Sequence, residues 1–320
     1  MLKYKRNKYS DGRINFSLRD LIMPYFVIEG NRQEIPIPSM PGIARLSVDN
    51  LLRKVDEARR LGIGTVLLFG IPPRRYKDSA GSYAYSETGI IPRAVAALKK
   101  AVKEITIITD VCLCAYTLHG HCGMIKRGEK TINHKATLDA LSRMALSHAQ
   151  AGADWVAPSA MAKKQVLAIR KTLDKNGYQK TKIMGYSAKF ASNFYGPFRE
   201  AADSAPKFGD RRVYQLNYAN SHTALGEILE DIKEGADMVM VKPALSYLDV
   251  IGEARQRFNF PLAAYNVSGE YAMVKQGAQS GLWKEEDMVK EIITSIKRAG
   301  ADFIITYHAK DIAKWLKEKN

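Results

Sequence analysis

Eight short apolar runs recur along this chain of 320 residues, and they constrain its fold more than any other feature. Their hydrophobicity is nearly continuous, which is the pattern of parallel strands buried on both faces. The runs are Leu21–Gly30, Thr65–Gly70, Ile105–Leu113, Asp154–Ser159, Lys182–Ser187, Asp237–Ala244, Leu262–Ser268 and Asp302–Tyr307. Helical patterns lie between most of them, for example Val48–Leu61, Arg93–Lys103, Ala136–Ala151, Thr223–Glu234 and Glu285–Ala299.

A short repeat supports this division into strand–helix units. AGAD occurs at Ala151–Asp154 and at Ala299–Asp302, and EGAD occurs at Glu234–Asp237. Each copy places a glycine just past a helix, where a left-handed C-cap is needed, and a strand follows at once. Eight such units predict an α/β protein with a closed (β/α)8 TIM barrel at residues 21–320. A doubly wound open sheet is the alternative, but no GxGxxG motif opens a helix after any run.

Two segments fall outside this pattern. Residues 1–20 are basic and weakly patterned, so we expect either a solvated tail or an N-terminal arm packed on a neighbouring subunit. The irregular stretch Lys189–Gln215 contains glycines and prolines and has the length and composition of an active-site lid, at about 190–215.

Composition bounds the function classes. The net charge of +16 arises from 49 Lys and Arg against 33 Asp and Glu. The basic residues are scattered over many helix faces without an aromatic-interleaved basic motif, so we expect an acidic small molecule and no nucleic acid as partner. No apolar run approaches the roughly 20 residues that span a bilayer, and the start of the chain lacks a signal-peptide apolar region. We therefore expect a cytoplasmic protein without a membrane partner.

Polar residues collect at the ends of the predicted strands. In (β/α) barrels the reactive side chains lie at the C-terminal ends of the strands. The residues at those ends are Asp110 and Cys112, Ser159, Ser187 with Lys189, Lys242, Ser268 and Tyr307. This distribution predicts a reactive site at one rim of the barrel.

Lys242 is the strongest candidate for a nucleophile. It ends a very apolar strand and is followed by Pro243, so its side chain cannot easily reach solvent. Burial would depress its pKa and leave a fraction as free amine, the form that attacks a ketone. Lys189 at the end of the adjacent strand adds a second cation, which favours the neutral amine further. The alternative is a rim lysine in a salt bridge.

The three cysteines of the chain, Cys112, Cys114 and Cys122, lie within eleven residues. Three clustered thiols fit metal or redox chemistry better than a disulfide framework. Three thiolates leave a fourth tetrahedral position for water or substrate, which is typical of a catalytic zinc site. Alternatives are unliganded core cysteines, or His119 or His121 as a fourth ligand. Asp110, two residues before the first thiol, is a candidate general acid/base or an orienting group.

The predicted lid carries Arg199 and Arg211, with Gln215 at its end. The arginine fork suits a carboxylate, which gives a reason for a lid that closes over an acidic substrate. The alternative is that both arginines are solvated surface charges.

Several longer motifs resemble the 5-aminolevulinate dehydratases, in the same order and over almost the full length. The matching stretches are Ser39–Gly42, Asp110–Gly123, Phe194–Arg199 through Gly209–Arg212, Met238–Pro243, Val267–Glu270 and Ile304–Tyr307. The resemblance implies a hydro-lyase, porphobilinogen synthase. It condenses two molecules of 5-aminolevulinate to porphobilinogen through lysine Schiff bases, with loss of two waters, in tetrapyrrole (heme) biosynthesis.

The resemblance also implies roles for individual residues. Lys242 matches the lysine that binds the first substrate, and Lys189 matches the lysine that binds the second. The remaining matches are Ser268 and Tyr307 for the first carboxylate, Arg199, Arg211 and Gln215 for the second carboxylate, and Asp110 with Ser159 near the second amine. Cys112, Cys114 and Cys122 match the ligands of the zinc-dependent branch. Glu227 matches a carboxylate that helps hold an allosteric magnesium in some members, and the usual assembly is a homo-octamer.

One loop departs from the family. After Ser159 the family usually has Asp-Met-Met-Asp-Gly-Arg, whereas this chain has Ala160–Gln165 with a more basic sequence. The change raises an inactive paralogue as one alternative. A class I aldolase-like barrel is another, although it leaves Lys189 and the cysteines without a role. A nucleic-acid-binding protein with structural zinc is a third, and it does not explain the polar strand ends.

Overall fold

A computed structural model describes residues 16–126, 128–220 and 222–318 of the chain. Its strands are β1 (Leu21–Ile28), β2 (Glu34–Pro36), β3 (Ala44–Leu46), β4 (Thr65–Ile71), β5 (Thr106–Val111), β6 (Trp155–Pro158), β7 (Lys182–Lys189), β8 (Met238–Lys242), β9 (Leu262–Asn266) and β10 (Phe303–Thr306). β1 and β4 to β10 pair in parallel in chain order. The pairing of β10 with β1, at Leu21 with Ile304, closes the barrel. The predicted (β/α)8 barrel is confirmed.

Helices follow the strands as the sequence pattern indicates. They are α1 (Val48–Arg60), α2 (Ile90–Ala101), α3 (His134–Gln150), α4 (Gln165–Lys175), α5 (Gly196–Ala201), α6 (His222–Lys233), α7 (Leu248–Arg257), α8 (Ser268–Gln279), α9 (Glu285–Ala299) and α10 (Ala309–Lys317). In the part of the chain that the structure describes, no helix combines the length and apolar character needed to cross a bilayer.

The continuous hydrophobicity of the strands has a simple structural cause. On β4, Leu67 and Phe69 belong to the cluster that fills the barrel, whereas Val66 and Leu68 belong to the cluster between the barrel and its helices. Both sets are buried, so each strand needs apolar side chains on both faces.

The three glycines of the repeat adopt the predicted left-handed conformation. Their φ angles are +100° at Gly152, +97° at Gly235 and +120° at Gly300. Because L-residues with a side chain are strained there, glycine ends α3, α6 and α9 at low cost and turns the chain into the next strand.

The aspartate of each repeat has a role that the sequence did not reveal. Its carboxylate accepts the backbone N–H of a residue at or near the start of the preceding barrel strand. The pairs are Asp154 with Ile107 at 2.8 Å, Asp237 with Ile183 at 2.9 Å and Asp302 with Leu262 at 2.8 Å. Each aspartate therefore fastens two neighbouring strands at the N-terminal end of the barrel.

Two features differ from the sequence pattern or add to it. β2 and β3 form a small antiparallel hairpin after β1, and strands of three residues are too short to produce a readable pattern. The predicted irregular stretch contains a 3₁₀ turn at Asn193–Tyr195 and then α5. Residues 1–15 of the predicted arm lie outside the described residues. At the end of the predicted arm, the Asp20 carboxylate forms a salt bridge with Lys297 at 3.2 Å.

The Asp302→Asn variant should lower the free energy of unfolding by about 1–3 kcal/mol, because a largely buried backbone N–H loses a charged acceptor. Asp302 also pairs with Arg255, which adds to the loss. Urea unfolding followed by circular dichroism measures the change. The matched control is Asp139→Asn at an exposed carboxylate, which should change stability by less than about 0.5 kcal/mol. Equal effects of the two variants would contradict this role for Asp302.

Candidate active site

Lys242 lies at the end of β8 with a side chain that is almost completely buried. The residue is 4% exposed. Its Nζ atom lies over four aromatic rings, at 4.2 Å from the centroid of Tyr265, 5.0 Å from Phe198, 5.1 Å from Tyr186 and 5.2 Å from Tyr195. Among the described residues no carboxylate forms a salt bridge with this ammonium group. The structure therefore contradicts the alternative of a salt-bridged rim lysine.

The environment of Lys242 favours the neutral amine. Burial lowers the pKa of Lys242 well below its usual range, and the charge of Lys189 lowers it further. The two lysines occupy paired positions on β7 and β8, as the sequence predicts for adjacent strand ends. Lys189 is also buried, but its Nζ donates a hydrogen bond to the Ser159 carbonyl oxygen at 2.6 Å. Among the described residues no such acceptor faces Lys242 Nζ, so burial acts on this amine without a hydrogen bond to offset it.

Asp110 on β5 faces the same space. Its Oδ1 atom is buried without a hydrogen-bond partner among the described residues. Burial raises the pKa of Asp110 to about 6, while Ser159 and the charges of Lys189 and Lys242 oppose the shift. A carboxyl group with such a pKa can accept or release a proton near neutral pH.

The three cysteines come together as the sequence predicts. All are buried free thiols, and their Sγ atoms all lie within 4.8 Å of one another. Cys112 and Cys114 Sγ are 3.4 Å apart. Hydrogen bonds from Cys112 and Cys114, with Arg211 nearby, hold the pKa of Cys122 well below its usual range. Three converging sulfurs with a thiolate among them fit the donor set of a zinc ion.

Neither neighbouring histidine joins this group. His121 directs Nδ1 to the Tyr214 hydroxyl at 3.3 Å and Nε2 to the Phe208 carbonyl oxygen at 2.9 Å. His119 accepts the His121 backbone N–H at 3.1 Å through Nδ1. In the described ranges, the metal-binding group around these sulfurs contains the three thiols and no histidine.

The predicted lid packs directly on the cysteine loop. Arg211 donates to the carbonyl oxygens of Gly120, at 2.9 Å, and Ser204. The Lys207 backbone N–H donates to the His119 carbonyl oxygen at 3.0 Å. Arg211 is thus a buried link between the two segments, which contradicts the alternative of a solvated surface charge. The sequence predicted a carboxylate-binding lid arginine and did not indicate this link.

Several buried polar atoms of the lid lack partners among the described residues. They are Arg199 Nε, Arg211 Nε, and both Nε2 and Oε1 of Gln215. Buried polar groups are rarely left unpaired unless a ligand, ion or water completes them. Two guanidinium groups and one amide have the donors that a carboxylate requires.

Ser268 and Tyr307 follow β9 and β10, the next two strands after β8 in the barrel. The Tyr307 and Tyr265 hydroxyl oxygens are 3.1 Å apart, and the Tyr265 ring contacts Lys242. The Ser268 hydroxyl accepts the Phe198 backbone N–H at 3.0 Å and donates to the Phe194 carbonyl oxygen at 3.2 Å. Ser268 therefore also fastens the lid segment, which the sequence gave no reason to expect.

Glu227 lies on α6. It lines a cavity of about 190 Å³ with Glu230, Asp231 and Glu234 of α6 and with the altered loop that precedes α4. Burial raises the pKa of Asp231 to about 7, while Ser187 opposes the shift. The loop closes on itself, because the buried Gln165 amide donates to the Pro158 carbonyl oxygen at 3.2 Å.

A second group of titratable side chains was missed by sequence reasoning. Glu285, His308 and Asp311 come together beside α8. Lys275 pairs with both carboxylates, at 2.5 Å from Glu285 and 3.1 Å from Asp311. Because the Lys275 ammonium group already pairs with both carboxylates, we interpret these side chains as an ion-pair cluster. Its members come from α8, α9 and the start of α10, so they form no single sequence motif.

Comparisons with known proteins agree with this geometry. The family model described as delta-aminolevulinic acid dehydratase matches residues 4–315. The delta-aminolevulinic acid dehydratase of Synechocystis sp. is 50% identical over 304 residues, which cover 94% of this chain and 92% of the relative. That of Archaeoglobus fulgidus is 51% identical over 300 residues, with 94% and 92% covered.

The chain belongs to the delta-aminolevulinic acid dehydratase family.

A solved structure of a family member supports the predicted function. It is the delta-aminolevulinic acid dehydratase (porphobilinogen synthase) of Toxoplasma gondii in complex with the reaction product porphobilinogen. The TM-score is 0.94 at 43% identity, over 96% of this chain and 87% of that chain. The prediction of a hydro-lyase of the porphobilinogen synthase type is confirmed. The aldolase-like and nucleic-acid-binding alternatives are wrong.

The Lys242→Met variant should be more stable than the parent protein near pH 6–7. Between the lowered pKa of folded Lys242 and about 10.4, only the unfolded state binds this proton. The free energy of unfolding of the parent therefore rises with pH by up to about 1.4 kcal/mol per unit from this group. The variant lacks that contribution, so its advantage should shrink as the pH rises to 9.

Urea unfolding of both proteins at several pH values measures the difference. A Lys310→Met variant, at a lysine paired with Glu57, is the control that should show no such convergence. A stability difference for Lys242→Met that is independent of pH would show that Lys242 keeps its ordinary pKa in the folded protein.

Proposed function

We propose that this family member is zinc-dependent and that it binds its two 5-aminolevulinate molecules as imines of Lys242 and Lys189. The observation that carries the proposal is the pair of buried lysines at matched positions of β7 and β8. Among the described residues, Lys242 of this pair forms no salt bridge.

Lys242 takes the first substrate in this scheme. Its neutral amine attacks the ketone carbon, and the carbinolamine, once its hydroxyl is protonated, loses water to give an iminium ion. The four surrounding rings stabilise the positive charge of the iminium through their π faces while excluding water. Ser268 and Tyr307, on adjacent strand ends, would hold the carboxylate of this substrate.

Lys189 takes the second substrate. Buried side-chain atoms of Arg199, Arg211 and Gln215 have no hydrogen-bond partner among the described residues. A substrate carboxylate beside Lys189 would supply acceptors for the N–H donors among them. Asp110 and Ser159 would contact the amine of the same molecule. With a pKa of about 6, Asp110 can receive a proton released when the new bonds form.

Cys112, Cys114 and Cys122 would hold the zinc ion. The three converging, buried sulfurs fit a zinc site with one open position, and no histidine of the described residues completes the set. When bound, zinc supplies a Lewis acid beside the second substrate. Arg211 links the cysteine loop to the lid, so the chain itself keeps the metal loop and the carboxylate donors together.

The same proposal includes features that rest on the resemblance to the family. They are a homo-octamer, an arm at residues 1–20 that packs on a neighbouring subunit, the catalytic barrel at 21–320 with a lid at about 190–215, a cytoplasmic location and a magnesium ion at Glu227. The acids that flank Glu227 support a cation there.

The altered loop Ala160–Gln165 would change assembly or rate and leave the reaction type as it is. Sedimentation velocity with and without magnesium, for the parent and Glu227→Gln, tests the assembly and the magnesium site.

Borohydride reduction in the presence of 5-aminolevulinate should attach one substrate residue to the peptide that contains Lys242. Peptide mass spectrometry locates the label. In Lys242→Ala the label should disappear, and porphobilinogen formation should fall by at least about a thousandfold because covalent activation is lost. The control is Lys310→Ala, which should label normally. Unchanged labelling in Lys242→Ala would refute the assignment, and absence of activity in the parent would indicate an inactive paralogue.

Metal removal should abolish activity while leaving the barrel folded. A chelator should remove about one zinc per chain, and added zinc should restore porphobilinogen formation. Circular dichroism should change little, because the thiols follow β5 and take no part in the strand pairing that closes the barrel. Cys112→Ala should weaken zinc retention in equilibrium dialysis. Full activity of metal-free protein, or zinc binding by a triple Cys→Ala variant, would contradict the proposal.

A further inference from the structure

A chain of buried hydrogen bonds connects the ends of β8, β9 and β10, and its central member is Glu270. Glu270 lies in the first turn of α8 and is 2% exposed. Its Oε1 accepts the Leu245 backbone N–H at 2.7 Å. Its Oε2 accepts the Val267 backbone N–H at 2.6 Å and Asn266 Nδ2 at 3.2 Å. Three donors on one buried carboxylate fix its orientation. Burial raises the pKa of Glu270 to about 7, and these hydrogen bonds oppose the shift.

The chain continues to the last strand. Asn266 Oδ1 accepts the Thr306 hydroxyl at 2.9 Å. The Thr306 oxygen in turn accepts the His308 backbone N–H at 3.2 Å. Asn266, Thr306 and His308 are all buried. Because water cannot replace a missing partner at this depth, the loss of one member leaves the next one unsatisfied.

The backbone positions that these hydrogen bonds hold lie close in sequence to three residues. Those residues, which we call the first-substrate group, are Lys242, Ser268 and Tyr307. Leu245 follows Lys242 by three residues, Val267 precedes Ser268, and Tyr307 lies between Thr306 and His308. The simpler interpretation is helix capping, in which Glu270 accepts the Val267 N–H at the start of α8. Capping does not account for the contact with Leu245, which belongs to the segment after β8.

We propose that Glu270 is a positioning residue for the Lys242 imine. Its carboxylate holds the backbone that follows β8 against the start of α8, so that the three members of the first-substrate group face one molecule. The inference rests on the proposed function of Lys242. Glu270 itself does not contact substrate, and it acts through the placement of the Lys242 Nζ atom. A displacement of about 1 Å can slow a reaction by roughly a hundredfold.

Glu270→Gln tests the proposal at constant side-chain size. The amide nitrogen must face one of the N–H donors, so a charged hydrogen bond is replaced by a repulsive contact. The rate of borohydride-trapped labelling at Lys242 should fall by about tenfold to a hundredfold, and kcat should fall with it. A role confined to stability would lower the unfolding midpoint without changing the labelling rate of the folded protein.

Asp302→Asn is the matched control. It makes the same change from carboxylate to amide and removes a backbone acceptor between β9 and β10, but at the opposite end of the barrel. It should lower the unfolding midpoint and leave the Lys242 labelling rate within about twofold of the parent. Thr306→Val provides a second variant that keeps Glu270 and should slow labelling several-fold, so that poor folding of Glu270→Gln does not decide the result.

The outcomes separate the two hypotheses. Suppose that Lys242 is labelled normally in the parent and that Glu270→Gln and Thr306→Val both label at the parent rate. This result overturns the positioning role of Glu270 and leaves the proposed function of Lys242 intact. Equal slowing by Glu270→Gln and Asp302→Asn also overturns the positioning role, because the effect would then follow stability. If the parent itself shows no label at Lys242, the proposed function fails and the positioning role fails with it.

Discussion

Closure of the barrel between β10 and β1 is the constraint on which the rest of the structure depends. Once the strands are parallel and closed, their C-terminal ends must meet at one rim. Lys189 and Lys242 then become neighbours, although 53 positions separate them along the chain. The aspartates of the repeat fasten the opposite end, so the structural hydrogen bonds and the reactive groups occupy different ends of the same strands.

The active-site end carries groups that are unfavourable for folding alone. A lysine without an anionic partner is buried among aromatic rings, and several polar atoms of Arg199, Arg211 and Gln215 have no partner among the described residues. Burying such groups costs free energy unless a substrate satisfies them. Desolvation is also what favours the free amine of Lys242, so the unfavourable burial and the chemical reactivity have one cause.

The lid is connected to both halves of the site. Arg211 joins it to the cysteine loop, and the Ser268 hydroxyl joins it to the start of α8. A hydroxyl has one proton to donate, and Ser268 uses it on the Phe194 carbonyl oxygen. If Ser268 donates that proton to the carboxylate of the first substrate, as proposed, this contact is released, which would link substrate binding to the position of the predicted lid.

Much of the fold could be predicted from the sequence because its signals are local. A strand buried on both faces requires a continuous apolar run, and a left-handed helix end requires glycine, so the eight strands and the caps at Gly152, Gly235 and Gly300 are readable. Residues at strand ends, together with family motifs, also indicated Lys242, Lys189 and the three cysteines. The sequence could not show that the repeat aspartates bind neighbouring strands, because that depends on strand register.

The tertiary structure alone decided how the site residues are connected. The pairing of Lys189 with the Ser159 carbonyl oxygen, the link from Arg211 to Gly120 and the hydrogen-bonded chain through Glu270 each join segments far apart in the sequence. These contacts depend on backbone groups, which every residue carries and which therefore leave no mark in the choice of side chain. The sequence by itself determined which side chains are available for the chemistry. Packing determined their neighbours, and thereby the lowered pKa of Lys242 and the contact of Glu270 with Leu245 after β8.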